Sequence, residues 1–170
     1  MGYVHDTVAV VIPPGMCHYV TGTWSDAAGA VTGTIAKSKG AADQVGVVTI
    51  PITTMIQKDV LKGTKVLSIE VYWECLTAAN DAVTALINLA RFPADGAAFA
   101  AVTAIPFTYD AGHDTAPERL TLDQHKMTLT ITTPFYLDDD DLLLVQISFD
   151  AAATSAITFF GAKVNCTVRL

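Results

Sequence analysis

The sequence predicts an all-β fold, an antiparallel β-sandwich of jelly-roll type in which residues 1–170 form a single domain. Three observations predict it. Apolar and polar residues alternate in several segments, polar turn residues separate these segments at intervals of about ten residues, and helical periodicity is weak. Because successive side chains of a strand point to opposite faces, each segment has one face for a core and one for the surface.

Four segments carry the clearest strand pattern. Residues 65–76 alternate most regularly, and residues 126–132 repeat the pattern with threonines, which favour extended backbone, on the polar face. Residues 142–150 and 157–170 alternate as well, and the short joint between them predicts a hairpin. The predicted core comprises the inward residues of these strands: Leu67, Ile69, Val71, Trp73, Met127, Leu129, Ile131, Val145, Ile147, Phe149, Val164 and Val168.

Residues 1–39 lack a continuous strand pattern, because Pro13, Pro14 and several glycines divide them into short segments. They are interpreted either as outer strands of the sandwich or as an extended assembly arm. A chain of 170 residues can bury a substantial core without disulfide bonds. The three cysteines, an odd number, are therefore interpreted as reduced thiols of a protein made in the cytosol.

The composition restricts the partners. Hydrophobic residues make up 51% of the chain and charged residues 16%, against about 25% charged residues in an average soluble domain. We therefore expect apolar surface that has to be shielded from water by a binding partner. A membrane is not expected to provide this shielding, because the uncharged stretches are interrupted by proline and glycine or are too short to span a bilayer. Direct nucleic-acid binding is not expected, since the net charge is −7 and the ten basic residues are scattered.

The outward faces of the predicted strands suggest a cover of a different kind. Five large residues are expected to point away from the core and to form an apolar subunit interface: Val66, Tyr72, Leu142, Leu144 and Phe159. The sequence therefore predicts a symmetric homo-oligomer, in which every copy of this patch is buried.

Two polar clusters contain residue types that bind metal ions. The acidic run at 138–141 could hold Ca²⁺, but a solvated turn ahead of a strand is the preferred interpretation. Four side chains around a long polar connection could share a metal if that connection folded back, and an ordinary exposed loop is preferred for them: His113, Asp114, Asp123 and His125. No metal ligand and no cofactor are assigned.

The sequence offers little for catalysis. It contains no Gly-x-Ser-x-Gly motif, and Cys75 and Cys166 fall on core faces, where a thiol is inert. Cys17 is the thiol whose reactivity we would test, although its neighbour His18 points to the opposite face of an extended chain. The sequence therefore predicts a protein that is not an enzyme and has no catalytic residues.

Three segments carry a resemblance to a family: LKGTKVLSIEV at 61–71, LDDDDLLLVQI at 137–147 and AITFFGAKV at 156–164. They resemble small, jelly-roll-like β-sandwich structural proteins of phage and virus particles. The resemblance implies a capsid, decoration or fibre-associated protein that acts through self-assembly, as a trimer or a shell lattice, together with other virion proteins. It also implies localisation in the virion after assembly in the host cytoplasm.

Two other classes of function remain open from the residues. A carbohydrate- or ligand-binding β-sandwich module is the alternative, and it would show exposed aromatic rings in a groove. The sequence offers three rings on which a sugar could stack, although alternation places the last of them in the core: Trp24, Tyr72 and Trp73. An enzyme would instead show a clustered acid, base or metal site.

Overall fold

The computed structural model describes residues 5–29, 35–53, 63–93 and 102–169. These residues form two antiparallel sheets packed face to face, which confirms the predicted β-sandwich. Two short 3-10 helices interrupt the strands, at Pro14–Met16 and Pro117–Leu120. Within the described ranges, no helix is long and apolar enough to cross a membrane.

The first sheet has seven strands. Its strands, in chain order, are β1 (His5–Ile12), β3 (Trp24–Ala28), β4 (Ile35–Lys39), β6 (Thr64–Cys75), β9 (Phe107–Tyr109), β10 (Asp123–Ile131) and β12 (Ile157–Arg169). Across the sheet the order is β3, β4, β12, β6, β10, β9, and β1 pairs with the later part of β12.

The second sheet has five strands. They are β2 (His18–Thr21), β5 (Gln44–Pro51), β7 (Asn80–Arg91), β8 (Thr103–Ala104) and β11 (Asp141–Ala151), in the spatial order β2, β5, β11, β7, β8. The described parts of residues 1–39 thus contribute β1 to β4, which lie toward the outer positions of the two sheets.

The predicted hairpin between residues 142–150 and 157–170 is wrong. β11 belongs to the five-stranded sheet and β12 to the seven-stranded sheet, so the joint between them carries the chain across the sandwich. Ser155 in this joint is fully buried, and its hydroxyl donates a hydrogen bond to the carbonyl of Ala79 at 2.6 Å. A buried crossing of this kind needs such a partner, because an unpaired buried hydroxyl is destabilising.

The core lies between the sheets and follows the alternation where the strands are regular. In β11 every second residue from Leu143 to Ala151 is buried, and in β10 the buried residues run from His125 to Ile131. Of the predicted core, two residues are only partly buried: Leu67 and Val168. The remaining members are buried, which confirms them as the core.

Two irregularities in the pairing of β12 with β6 change which residues face inward. The register shifts between Phe159 and Gly161, and again between Asn165 and Cys166. Phe160 is therefore an extra residue on β12, and Leu67 is an extra residue on β6. An extra residue reverses the alternation beyond it, because side chains repeat with a period of two.

These β-bulges correct two members of the predicted interface. Val66 and Phe159 were expected to point outward, but both are fully buried in the core. Phe159 precedes the extra residue on β12, so it keeps the inward direction of Ile157. Val66 lies before the extra residue on β6, so it faces inward in place of Leu67.

Candidate functional site

A cluster of polar side chains lies on the outer face of the seven-stranded sheet, across its central strands β12, β6 and β10. Alternation along β6 places Ser68, Glu70 and Tyr72 on this face. The register then brings side chains of the neighbouring strands beside them. We call this cluster the polar platform and define it by six residues: Ser68, Glu70, Tyr72, Lys126, Lys163 and Asn165.

Glu70 is the centre of the polar platform. Its side chain is only 10% exposed, although it lies on the outer face of the sheet. Asn165 Nδ2 donates to Glu70 Oε1 at 3.0 Å. Oε2 accepts a short hydrogen bond from the Tyr72 hydroxyl. The same oxygen lies 3.2 Å from the ammonium of Lys126 and 3.0 Å from that of Lys163.

These contacts decide the protonation states of the two central groups. Burial by itself would raise the pKa of Glu70, but the hydrogen bonds from its four donors outweigh burial and lower the pKa to about 2. The pKa of Tyr72 is raised to about 12, first by burial and then by its hydrogen bond to Glu70. Glu70 is therefore a carboxylate at neutral pH, and Tyr72 is a neutral phenol that donates to it.

The carboxylate of Glu70 is fully hydrogen-bonded, but the side chains around it keep donor and acceptor groups that a ligand could use. A carboxylate has about four acceptor positions, and Glu70 already meets four donors. Lys126 is 58% exposed and has further N–H donors, while Tyr72 presents a half-buried ring. Asn165 uses its amide N–H groups on Ser68, at 3.1 Å, and on Glu70, which leaves its oxygen as an acceptor. Such a surface suits a ligand with both hydroxyl groups and an apolar face.

The five predicted interface residues do not share one surface. Val66 and Phe159 are core residues, and Tyr72 lies on the polar platform. Leu142 and Leu144 are half-buried on the outer face of the five-stranded sheet. A single interface that contains all five residues is therefore wrong, because the two sheets turn these faces in opposite directions.

The outer face of the five-stranded sheet differs from the polar platform in its lack of charge. Register places Leu144 beside Asn88 and Pro51, and Leu86 of β7 is 52% exposed. The central part of this face carries apolar and uncharged polar side chains: Val47, Thr49, Thr84, Leu86, Asn88, Leu142, Leu144, Gln146 and Ser148. We call this set the uncharged face.

The acidic run at 138–141 forms a turn ahead of β11, as expected, but the turn is solvated only in part, because Asp141 is buried. Asp138 N donates to Asp141 Oδ2 at 2.9 Å, and Asp141 N donates to the carbonyl of Asp138 at 3.0 Å. Arg91 lies 2.7 Å from Asp138 Oδ2 and 2.8 Å from Asp141 Oδ1. The guanidinium of Arg91 thus neutralises the two carboxylates that close the turn.

The polar connection between β9 and β10 was expected to be an ordinary exposed loop, and for two residues this is wrong. His113 and His125 are buried and lie together, with His113 Nε2 3.1 Å from His125 Nδ1. The carboxylate that joins them is Asp110 rather than Asp114 or Asp123, which are exposed. Among the described residues, no group of three or more His, Cys, Asp or Glu side chains could hold a metal ion.

The remaining residues singled out by the sequence are buried or packed. Cys17, Cys75 and Cys166 are free, buried thiols, and burial raises the pKa of Cys17 to about 12, so this thiol stays protonated. Trp73 is fully buried. Trp24 packs against Tyr19 and Phe149. Of the three candidate sugar-stacking rings, Tyr72 is therefore the one that belongs to the polar platform.

Sequence reasoning missed Glu70 as the centre of the site. Alternation predicts that Glu70 points outward, and a glutamate on the solvent face of a strand is too common to indicate a site. Its partners come from β10 and β12, and the signal that could have revealed them is the pair of lysines at outward positions, Lys126 and Lys163. Strand pairing had to be known before these charges could be brought together.

The solved structures that this chain resembles include a xylan-binding domain, a phage esterase and a family 11 carbohydrate-binding module. The CBM22-1 xylan-binding domain from Paenibacillus barcinonensis Xyn10C matches with a TM-score of 0.48 and 11% identity, over 98% of this chain and 97% of that one. A carbohydrate esterase of the Shiga toxin-encoding bacteriophage phi24B matches with a TM-score of 0.41 and 13% identity, over 97% and 100%. A family 11 carbohydrate-binding module of Clostridium thermocellum matches with a TM-score of 0.33 and 11% identity, over 94% and 87%.

These likenesses identify no ligand and no activity for this chain, since the identities are 13% or less and the TM-scores are below 0.5. No protein-family model matches the sequence, and no curated protein matches it. What the molecule itself presents is a β-sandwich with a preorganised polar platform on one outer face and an uncharged surface on the other.

Proposed function

We propose that the protein is a non-enzymatic carbohydrate-binding module that binds a glycan on the polar platform. The observation that carries the proposal is the environment of Tyr72, whose hydroxyl is held by the buried carboxylate of Glu70 while its ring stays at the surface. Two further groups lie against the same carboxylate: the exposed ammonium of Lys126, which is the register neighbour of Tyr72, and the side-chain amide of Asn165.

The chemistry of this surface fits a sugar ring. A pyranose has an apolar C–H face, which packs on an aromatic ring, and hydroxyl groups, which both donate and accept hydrogen bonds. Tyr72 supplies the ring, Lys126 supplies donors, and the Asn165 oxygen supplies an acceptor. The ionised Glu70 is occupied by its own donors, so its role is to hold the binding groups rather than to contact the glycan.

Preorganisation strengthens such a site. Ordering a long side chain on binding costs about 0.5 to 1.5 kcal/mol. Lys163 and Lys126 are already tied to Glu70, and Tyr72 is fixed by its hydrogen bond. Less entropy is therefore lost when a ligand arrives, which favours binding on the outer face of a sheet.

The test is binding to soluble polysaccharides, with xylan and mixed-linked β-1,3-1,4-glucan as the first probes, measured by affinity gel electrophoresis and calorimetry. We expect Tyr72→Ala to weaken binding at least about tenfold, and Tyr72→Phe to retain more of it because the ring remains. Gln146→Ala, on the opposite outer face, is the matched control and should bind like the wild type. Binding that survives Tyr72→Ala, or no binding by the wild type to a broad glycan panel, would contradict the proposal.

A second candidate is a structural subunit of a phage or virus particle that assembles as a trimer or shell lattice with other virion proteins. The uncharged face favours it, because two such surfaces can meet without burying an unpaired charge. Leu142 and Leu144, which the sequence placed in an interface, lie on this face. The oligomeric state of the purified protein and its presence in purified particles are the measurements that test this candidate.

A further inference from the structure

The connection between β9 and β10 buries two imidazole rings at one end of the core. His113 and His125 are 8% and 7% exposed. The ring of His125 stacks on Trp73, with ring centroids 4.6 Å apart and an interplanar angle of 5°. His113 is tilted against the same indole at 5.7 Å. These contacts attach residues 110–122 to the core.

The two rings form the middle of a hydrogen-bonded chain. His113 Nδ1 lies 2.8 Å from Asp110 Oδ1, His113 Nε2 lies 3.1 Å from His125 Nδ1, and His125 Nε2 lies 3.0 Å from the carbonyl oxygen of Thr121. Both ends of this chain are acceptors, a carboxylate and a carbonyl. Each outer contact therefore needs its proton on the ring nitrogen.

Counting protons gives the charge of the pair. Three hydrogen bonds need three protons on the four ring nitrogens, whereas two neutral imidazoles carry two. If the four ring nitrogens carried only two protons, either the lone pairs of His113 Nε2 and His125 Nδ1 would face each other, or one of the two outer hydrogen bonds would be lost. With four, two N–H groups would face each other at 3.1 Å. Only three protons, and hence one positive charge on the pair, satisfy every contact.

We propose that His113 and His125 form a single-proton clamp, in which one proton beyond the two of the neutral rings holds residues 110–122 on the core near neutral pH. If the pair loses this third proton, or gains a fourth, one hydrogen bond of the series from Asp110 to Thr121 is broken and the connection is released. The clamp is independent of glycan binding on the polar platform.

The neighbouring charges place the proton on His113. Asp110 faces it directly, and hydrogen bonds from Thr128, His113 and Gly112 hold the pKa of Asp110 below its ordinary value against the opposing effect of burial. The pKa of His125 is lowered, first by burial and also by the charge of His113. Because His113 is the ring in contact with a carboxylate, at 2.8 Å from Asp110 Oδ1, the clamp places the positive charge on His113 and leaves His125 with its proton on Nε2, toward the carbonyl of Thr121.

Three other charged side chains lie close to the histidine pair. Asp123 at the start of β10 favours the charged form of His125, and Glu118 in the 3-10 helix interacts with His113. Arg119 donates to the carbonyls of His113 and Val83, and its guanidinium lies 4.4 Å from the ring centre of Tyr109. β6 contributes the non-titrating Trp73. Arg119 thus provides a second attachment for the connection, which limits its release to a local opening.

The first experiment reads the protonation states directly from the imidazole ¹⁵N resonances of the wild-type protein. At pH 7 we expect the imidazolium signature for His113 and the Nε2–H tautomer for His125. Two neutral buried rings at pH 7, or an imidazolium at His125 with a neutral His113, would overturn the proposal. This measurement needs no variant, so a folding defect cannot obscure it.

The second experiment measures amide hydrogen exchange in residues 110–122 between about pH 5 and pH 9, corrected for the intrinsic exchange rate. Protection should be highest near neutral pH and should fall on both sides by up to about tenfold per pH unit, the slope for one proton. Asp110→Asn should remove the imidazolium signature of His113, and His18→Gln should change nothing. Protection that is independent of pH over this range would contradict the clamp.

Discussion

The phenol of Tyr72 donates a hydrogen bond to the carboxylate of Glu70, its neighbour two residues earlier on the same face of β6. This pair joins the fold to the proposed binding site, because the strand positions both side chains, and the donors Tyr72, Asn165, Lys163 and Lys126 keep the carboxylate ionised. The pKa values of the two groups move in opposite directions as a result, down to about 2 for Glu70 and up to about 12 for Tyr72.

Glu70→Gln should destabilise the protein at neutral pH by up to about 3 kcal/mol, since a pKa shift of one unit corresponds to about 1.4 kcal/mol. The lowered pKa of Glu70 stabilises the fold above the ordinary value of 4.5, and this stabilisation is lost as the pH falls toward 2. Urea unfolding at a series of pH values should therefore show a shallower acid dependence in the variant. Glu74→Gln, on the same strand and face, is the control, and an equal effect of both variants would contradict the role of Glu70.

Phe159→Ala should cost about 3 to 5 kcal/mol of unfolding free energy, because it removes a fully buried ring and leaves a cavity. Phe160→Ala, at the extra residue of the bulge, should cost clearly less, since Phe160 is only partly buried. Chemical denaturation of both variants compares two identical substitutions at adjacent positions. A larger loss at Phe160 would show that the bulge is misplaced.

Gly161→Ala should destabilise the fold by about 1 to 3 kcal/mol, the usual range for a strained backbone position. Gly161 has a φ of 114°, and an added Cβ would lie 2.5 Å from the carbonyl oxygen of Ile12. Gly40→Ala meets no atom within 4 Å and serves as the control. Thermal unfolding measures both; an unchanged melting temperature for Gly161→Ala would mean that the bulge adopts another conformation.

Leu142→Lys combined with Leu144→Lys should abolish self-association if the uncharged face is an interface, because like charges would meet across it. Both side chains are half-buried on the outer face of β11, so the β-sheet circular dichroism spectrum should persist. Size exclusion with light scattering measures the change. Thr130→Lys, on the exposed outer face of the other sheet, is the control. A wild-type protein that is monomeric at micromolar concentration, with no assembly partner in its source particles, would exclude the structural-subunit candidate.

Alternation of apolar and polar residues is sufficient to predict the β class and the direction of side chains wherever a strand is regular. Met127, Leu129 and Ile131 of β10, and Val145, Ile147 and Phe149 of β11, are buried as their alternation predicts. The reason is local, because the period of two belongs to the extended chain whatever it pairs with.

Features that depend on pairing between distant strands could not be predicted from the pattern of any one strand. The bulges at Leu67 and Phe160 place Val66 and Phe159 in the core, and they exist only because β12 pairs with β6. The same pairing brings Lys163 to Glu70 and so forms the polar platform. Alternation within one strand contains no information about register with another, and hydrogen bonding between strands, not the pattern of either one, determines which side chains meet.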